Sequence, residues 1–189
     1  MKTKKVLFGT SNLHKLQEAS NIFNETEYEI VHYPVDLLEI QDPSVEKIAI
    51  FSLEKLPLTD YAIFVEDTGL FIEELKGFPG PYAAQTFKTL GNSGIIKLMN
   101  GVENRKAYFE SSVAFRDKNG QIKTFTARCN GLISTTIEGD QWGFDPIFIP
   151  LHELNPKNKT FAQLGEEIKD TISHRSKALQ MLKDFIISK

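Results

Sequence analysis

Two acidic side chains directly follow an apolar stretch that is typical of a buried strand. Residues 62–65 read Ala-Ile-Phe-Val, and Glu66 and Asp67 come immediately after them. A carboxylate at the end of a buried strand is costly to desolvate unless a cation, an arginine or backbone N–H groups compensate it. In open α/β sheets, ligands also collect at the carboxyl ends of strands. The sequence therefore predicts a cation or a polar ligand beside Asp67.

A second acid, Glu39, lies among apolar neighbours between Leu38 and Ile40. Taken alone, such an acid is an exposed loop residue about as often as it is a ligand. Together with Asp67 it predicts an oxygen-rich Mg²⁺ site, because Mg²⁺ takes one or two carboxylates and keeps several waters for substrate phosphates. Glu66 competes for a place in the same site, and the sequence does not rank it.

The segment after the first apolar run contains small polar residues followed by a lysine: Thr10, Ser11, Asn12 and Lys15. Backbone N–H groups at a helix N-terminus attract anions, and small hydroxyl residues let a phosphate approach closely. Lys15 would lie in the first helical turn, where a cation opposes the helix macrodipole, and a bound anion would remove that conflict. The alternative is a capped helix with a solvated lysine. The segment lacks the glycines of a P-loop.

Trp142 and Phe144 flank a glycine, and Asp145 follows immediately before a proline. Aromatic rings in such a loop can stack on a nucleobase, and Asp145 can accept a proton from a base or a ribose. The alternative is that both rings belong to the core and that Asp145 is a turn residue. For this segment taken alone, the alternative is the more common case.

Basic residues open the C-terminal helix that the sequence predicts, with Ser173 as its N-cap. His174 and Arg175 follow Ser173, and Lys169 lies shortly upstream. The side chains of His174 and Arg175 can donate hydrogen bonds to the carbonyl oxygens of a base or to phosphate. A Ser-His nucleophile pair is disfavoured, because adjacent residues of a helix do not face each other.

Composition narrows the class of protein. The chain has 189 residues, a net charge of −3 and scattered basic residues, which argues against a nucleic-acid polymer as the main partner but not against a nucleotide. The single cysteine, Cys129, cannot form an internal disulfide and is interpreted as structural, which fits a reducing cytoplasm. The basic start is followed by only three apolar residues before Gly9, too few for a signal peptide or a membrane span.

Apolar periodicity and turn residues predict alternating strands and helices, and hence a mixed α/β sheet flanked by helices. In the first half we expect strands at 6–8, 28–33 and 62–65, and helices after Asn12 and Ser44. In the second half we expect a strand at 70–72, a turn-rich loop at 77–82, a helix at 94–99, and a hairpin of strands 107–116 and 122–133. No linker separates independent domains.

Six short motifs, taken together, resemble the inosine triphosphate pyrophosphatase family, the Ham1-like house-cleaning enzymes. They are Thr10-x-Asn12-x-x-Lys15, Glu66-Asp67-Thr68-Gly69-Leu70, Gly77-Phe78-Pro79-Gly80-Pro81-Tyr82, Gly143-Phe144-Asp145-Pro146, Thr160-Phe161-Ala162 and Ser173-His174-Arg175. Each motif is weak alone. Six motifs in the family's order, spread over nearly the whole chain, are highly specific.

The resemblance implies one domain over residues 1–189, built as two lobes with the active-site cleft between them. It implies hydrolysis of ITP, dITP and XTP to the monophosphate and pyrophosphate, dependence on Mg²⁺, a cytoplasmic homodimer and no membrane partner. It assigns catalysis to Asp67, Glu39 and Lys15, with Glu39 and Asp67 as metal ligands. Its substrate-binding residues are Thr10, Ser11, Asn12, Lys15, Thr68, Trp142, Phe144, Asp145, Lys169, His174 and Arg175.

The chain departs from the family pattern at two places. Phe51 stands where members often carry a lysine, and Ala84 lies just after the Pro-Tyr turn, where they often have a basic residue. One alternative is the similar Maf-like family, which acts on pyrimidine or modified nucleotides. Another is a nucleotide-binding regulator without turnover. The Ser-His-Arg helix start argues against the first alternative, and the pair Glu39 and Asp67 argues against the second.

Overall fold

The computed structural model describes residues 3–188, so Met1, Lys2 and Lys189 lie outside the described residues, including part of the basic start. The chain divides into two compact units. The first contains the residues up to Asp67, Ser111–Ala127 and the residues from Arg175 onward. The second contains Thr68–Glu110 and Arg128–His174. A single two-lobed domain remains a prediction.

One mixed sheet runs through the fold, which confirms the predicted fold class. Its strands are β1 (Lys4–Gly9), β2 (Tyr28–Tyr33), β3 (Ala62–Ile72), β4 (Pro79–Gly80), β5 (Lys106–Arg116), β6 (Ile122–Ile133) and β7 (Phe148–Pro150). The order is β2-β1-β3-β5-β6-β7, with β4 paired to β3. β1 is parallel to both β2 and β3, whereas β4 is antiparallel to β3 and β7 to β6.

Seven α-helices accompany the strands in the described part of the chain. They are α1 (Leu13–Phe23), α2 (Val45–Glu54), α3 (Ala83–Thr89), α4 (Gly91–Leu98), α5 (Phe161–Leu164), α6 (Glu166–Ile172) and α7 (His174–Ile187). One turn of 3-10 helix spans Asp145–Ile147. Within residues 3–188, no helix has both the length and the apolar character needed to cross a bilayer.

Side-chain caps explain why the predicted helices of the first unit begin where they do. The Asn12 side chain accepts hydrogen bonds from the backbone N–H groups of His14 and Lys15 at the start of α1. Ser44 accepts one from the Lys47 N–H at the start of α2. Each cap satisfies donors that the first helical turn leaves unpaired. The predicted positions of both helices are confirmed.

The prediction that a strand ends at Val65 is wrong, because β3 continues without a break to Ile72. The acidic pair therefore lies inside a strand, and the separate strand predicted at 70–72 belongs to it. Gly69 makes the continuation possible: a Cβ there would lie 2.9 Å from the backbone of Gly80, so only glycine lets β4 approach β3 this closely.

Each unit has its own apolar core. On one face of the sheet in the first unit, Phe8 and Phe64 pack with residues of α1 and α7, including Ala19 and Leu179. On the opposite face, Ile63 and Val65 pack with Ala49 and Leu53 of α2. In the second unit, buried side chains of the sheet pack with Ile95 of α4, Phe161 of α5 and Ile172 of α6.

Three short helices were not predicted, namely α3, α5 and α6. None of them is longer than seven residues, so no apolar stripe of two or more turns could form. α5 nevertheless has a readable start, because Thr160 and Gln163 form a capping box at its N-terminus. The helix predicted at 94–99 exists, but it begins at Gly91.

Candidate active site

Two segments of the first unit leave the sheet at the level of the acidic pair of β3. Gly9 at the end of β1 pairs with Tyr33 at the end of β2 and with Val65 in β3. The next residues along the chain are Thr10, the loop at 34–44 that carries Glu39, and the acidic pair of β3. Because β1, β2 and β3 are parallel, the acidic pair of β3 lies level with the carboxyl ends of β1 and β2, where α/β proteins bind ligands.

The two acids of β3 point to opposite faces of the sheet, because successive side chains of a strand alternate. Glu66 shares the face of Phe64, which packs against α1 and α7. Asp67 shares the face of Val65, against which Val35 and Leu37 pack from the loop at 34–44. The two acids, which the sequence alone did not distinguish, therefore lie in different surroundings.

Glu66 is at the centre of a group of charged and polar side chains that we call the Glu66 cluster: Lys15, Glu18, Glu66, Ser111 and Arg175. Lys15 Nζ lies 2.8 Å from Glu66 Oε2. Arg175 Nε donates to Glu66 Oε1 at 3.2 Å, and Ser111 Oγ donates to the same oxygen at 2.5 Å. Arg175 Nη1 also donates to Glu18 Oε2 at 2.5 Å. One carboxylate therefore holds cations from two helices.

The Glu66 carboxyl stays ionised although its side chain is fully buried. Burial by itself would raise its pKa, but the charges of Arg175 and Lys15, with hydrogen bonds from Lys15 and Ser111, hold the pKa well below its usual range. The cluster contains two basic and two acidic side chains, whose formal charges offset one another. Oε1 of Glu66 accepts hydrogen bonds from Ser111 and Arg175, and Oε2 lies 2.8 Å from the Lys15 ammonium, so two cations of the chain itself compensate this carboxylate.

Lys15 is not the solvated lysine of the alternative interpretation. Its side chain is 18% exposed, and its ammonium contacts both the carboxylate and the backbone oxygen of Glu66. A cation in the first turn of α1 is unfavourable beside the positive end of the helix macrodipole. In this structure, the carboxylate of Glu66 compensates the charge of Lys15.

Thr10 and Asn12 are held by local hydrogen bonds. Thr10 Oγ1 accepts from the Asn12 N–H at 3.0 Å, and the Thr10 carbonyl oxygen lies 2.9 Å from His32 Nε2. Thr10 is buried and Ser11 is exposed. Local hydrogen bonds thus fix the conformation of this turn, and the phosphate-binding role of these residues stays a prediction.

The predicted metal ligands fit Mg²⁺ by their chemistry. Asp67 is half-buried in β3, and Glu39 is exposed in the loop that packs on the Asp67 face of the sheet. Within residues 3–188 there is no cluster of three or more His, Cys, Asp or Glu side chains suited to a metal ion. A nucleotide-associated Mg²⁺ needs only one or two carboxylates besides water and phosphate oxygens. The pairing of Glu39 with Asp67 remains a prediction.

In the second unit, the structure brings together three of the predicted substrate-binding residues. Lys169 Nζ lies 2.6 Å from Asp145 Oδ2, and both side chains are buried. The same ammonium lies over the indole ring of Trp142, 5.0 Å from the ring centroid. A buried carboxylate, a cation and an aromatic ring are suited to hold a polar heterocycle.

Other predicted residues of the second unit have positions of their own. Phe144 is buried and packs edge to face on Phe87, which favours the core interpretation for this ring. His174 stacks on Phe109 with ring centroids 4.5 Å apart. Thr68 is half-buried in β3. Their roles towards a substrate stay predictions.

Three residues that contact the predicted site were missed from the sequence. Glu18 had a detectable signal, because it lies three residues after Lys15 on α1, where side chains are neighbours. Ser111 had none, since it is one serine within the long strand β5. Asn92 also had none; its side chain donates to the Gly143 carbonyl oxygen at 3.0 Å and holds the loop that follows Trp142.

Comparison with known proteins decides the family. The sequence model of the Ham1 family matches residues 6–185 of this chain. The chain belongs to the Ham1 family. The resemblance carried by the six motifs is therefore confirmed over nearly the full length of the sequence.

Other Ham1-related proteins share the whole extent of this chain. The dITP/XTP pyrophosphatase of Methanopyrus kandleri is 44% identical over 183 residues, which cover 96% of this chain and 95% of the relative. That of Korarchaeum cryptofilum is 42% identical over 185 residues, with 96% of each chain covered. The Ham1 protein of Staphylococcus aureus has a similar structure, with a TM-score of 0.81, 25% identity and coverage of 98% of this chain and 99% of that one.

Proposed function

We propose that this Ham1-family chain is a nucleoside triphosphate pyrophosphatase that hydrolyses the non-canonical purine nucleotides dITP, XTP and ITP to the monophosphate and pyrophosphate. The observation that carries the proposal is the full-length identity of 42–44% to proteins named dITP/XTP pyrophosphatases. The enzyme is a hydrolase that acts on acid anhydrides and removes these nucleotides from the pool.

Water attacks the α-phosphorus in the proposed reaction, and the bond from that phosphorus to the bridging oxygen of the β-phosphate breaks. Asp67 orients the attacking water and takes its proton. Lys15 neutralises charge on the phosphates, which is the main contribution that proteins make to phosphoryl transfer. Mg²⁺, held by Asp67 and Glu39, would supply further charge neutralisation on the phosphates and on the leaving pyrophosphate.

Thr10, Ser11, Asn12 and Thr68 complete the grip on the phosphates in this proposal. The hydrogen-bonded turn of Thr10 and Asn12 supports the assignment, because it holds small polar side chains between the carboxyl end of β1 and the start of α1. The whole chain would form a single domain. We also propose a cytoplasmic homodimer that uses neither a nucleic-acid polymer nor a membrane as partner.

The base would be recognised by Trp142, Phe144, Asp145 and Lys169, with His174 and Arg175 donating to its 6-oxo group. Adenine carries an amino group at that position, so two donors would meet and one hydrogen bond would be lost. An unsatisfied buried donor costs about 1–3 kcal/mol, which is roughly tenfold to a hundredfold in kcat/KM for each contact. The buried Asp145–Lys169 contact supports this assignment, because it presents a fixed acceptor and a fixed cation.

The decisive experiment measures pyrophosphate release from dITP, XTP, ITP, dUTP and ATP, with and without Mg²⁺. We expect the three oxopurine nucleotides to be cleaved at least tenfold faster than ATP in kcat/KM. Preferential cleavage of dUTP would favour a pyrimidine pyrophosphatase of the Maf-like kind. No release from any of the nucleotides would overturn the proposal and favour a nucleotide-binding regulator.

Asp67→Asn tests the proposed metal site and general base. The substitution keeps the size of the side chain but removes its charge, so we expect dITP hydrolysis to fall below detection while the protein remains folded. Asp60→Asn is the matched control, because Asp60 is exposed in the loop that precedes the same strand. Full activity in Asp67→Asn would refute the role of Asp67 without touching the family assignment.

A further inference from the structure

The carboxylate of Glu66 has partners at both ends of the proposed substrate. Lys15 is the residue assigned to the phosphates, and Arg175 is one of the two assigned to the base. Both contact Glu66, Lys15 at 2.8 Å and Arg175 at 3.2 Å. They lie 51 and 109 residues from it in the sequence, on different helices. Glu66 is thus a shared contact of two helices, α1 and α7, which also pack in the same apolar core.

Glu66 itself has no exposed surface through which it could reach a substrate. Its Oε1 atom accepts hydrogen bonds from Ser111 and Arg175, and its Oε2 atom is in ion-pair contact with Lys15. The alternation of β3 turns it away from Asp67 and from the loop that carries Glu39. A group in this position acts on a reaction only through the residues that it holds.

We propose that Glu66 is a positioning residue that fixes Lys15 and Arg175 in one geometry and so couples the grip on the triphosphate to the recognition of the base. This inference rests on the proposed function. Both cations contact one buried carboxylate, and a rotamer of either that breaks its contact removes a counter-charge from Glu66, which disfavours other arrangements. Displacement of a positioned group by about 1 Å can cost on the order of 100-fold in rate.

Glu66→Gln is the first test, since it keeps the shape and removes the charge that holds both cations. We expect kcat/KM for dITP to fall by about 100-fold. KM should rise because Lys15 is displaced, and the ratio of kcat/KM for dITP over dATP should fall because Arg175 is displaced. Destabilisation alone would lower the concentration of active enzyme and hence the apparent kcat, but it would leave KM and the selectivity ratio unchanged.

Glu66→Asp separates positioning from charge balance. It keeps the negative charge in the cluster, but it is one methylene shorter and cannot reach Lys15 and Arg175 together. We expect the thermal midpoint of Glu66→Asp to lie closer to that of the parent protein than the midpoint of Glu66→Gln does. Its kcat/KM for dITP should nevertheless stay lowered by at least about tenfold. Recovery of kcat/KM together with stability would show that only the charge matters, and the proposal would be overturned.

Glu110→Gln is the matched control for the loss of a carboxylate. Glu110 lies in β5 and pairs with Arg128, whose side chain is mostly exposed. We expect its kinetic constants to equal those of the parent protein. If Glu66→Gln does not fold, Glu66→Asp decides alone, and unchanged KM and selectivity in that variant overturn the proposal. An inactive parent protein would instead refute the proposed function, so the two failures are distinct.

Discussion

The Glu66 cluster and the Asp145–Lys169 pair are both buried charge arrangements, but they are assembled on different scales. Lys169 lies 24 residues from Asp145, and the contact joins α6 to a turn of 3-10 helix within the second unit. Glu66 contacts Lys15, which is 51 positions away in the sequence, and Arg175, which is 109 positions away. These contacts join β3 to α1 and α7 within the first unit. The first arrangement is a local pair, and the second is a network that requires distant parts of the chain.

The difference decides how each arrangement responds to the loss of a charge. Burying an ion pair costs several kcal/mol of desolvation for each ion, and the attraction between the partners offsets that cost. In the contact between Asp145 and Lys169, removing both charges removes the desolvation cost and the mutual attraction together. In the Glu66 cluster, Arg175 contacts both Glu66 and Glu18, so removing two charges disturbs the groups that remain.

The largest effect should follow from Lys169→Met. The substitution takes away the ammonium 2.6 Å from Asp145 and leaves a buried carboxylate without that counter-charge. We expect the free energy of unfolding to fall by about 3–5 kcal/mol, measured by urea denaturation at pH 7. Adding Asp145→Asn to the same protein should recover at least half of the loss, since the uncompensated charge is then gone.

The equivalent double change in the Glu66 cluster, Lys15→Met with Glu66→Gln, should recover a smaller share of its single-variant loss. The Nε of Arg175 and the Ser111 hydroxyl would both lose their anionic acceptor in that protein. Equal recovery in the two double variants would mean that the cluster behaves as two independent pairs. The contrast between a local pair and a network would then fail.

The sequence predicted most reliably what depends on neighbouring residues. β1, α1, β2 and α2 were predicted because Asn12 and Ser44 are good caps and because apolar residues recur with the right period. The hairpin between β5 and β6 follows from the Asp-Lys-Asn-Gly turn in the same way. Local patterns also marked Asp145 and Lys169, although they did not show that the two side chains are in contact.

The continuation of β3 through Glu66 could not be predicted, because its cause is distant in the sequence. Locally, the polar residues after Val65 indicate the end of a strand. In the structure, cations from two helices and the Ser111 hydroxyl compensate the carboxylate that is buried within the strand, and Gly69 leaves room for β4 beside it. The motifs identified Glu66 as a candidate residue, but only the contacts distinguish its position from that of Asp67.

Acid should destabilise the protein through the Glu66 cluster. Since the folded state lowers the pKa of Glu66, its contribution to stability is fully present above the ordinary glutamate pKa of about 4.3 and is lost as the pH falls below it. One such carboxyl gives a slope of up to roughly 1.4 kcal/mol for each pH unit. We would measure the urea midpoint of unfolding between pH 5 and pH 3 with EDTA present. The midpoint should fall less steeply with decreasing pH in Glu66→Gln than in the parent protein. An unchanged slope would assign the acid sensitivity to other carboxyls.

The smallest effect should come from the ion pair between Glu110 and Arg128, which provides a reference for both buried arrangements. Glu110 hydrogen-bonds the guanidinium and raises the pKa of Arg128, and the guanidinium also lies over the ring of Tyr108. More than half of the Arg128 side chain is exposed, so water solvates the charge when its partner is removed. We expect Glu110→Gln to change the free energy of unfolding by about 0–1 kcal/mol, and less at high salt. If the loss is above about 2 kcal/mol, an exposed ion pair costs nearly as much to break as a buried one. Burial would then not explain the larger effects expected for the Glu66 cluster.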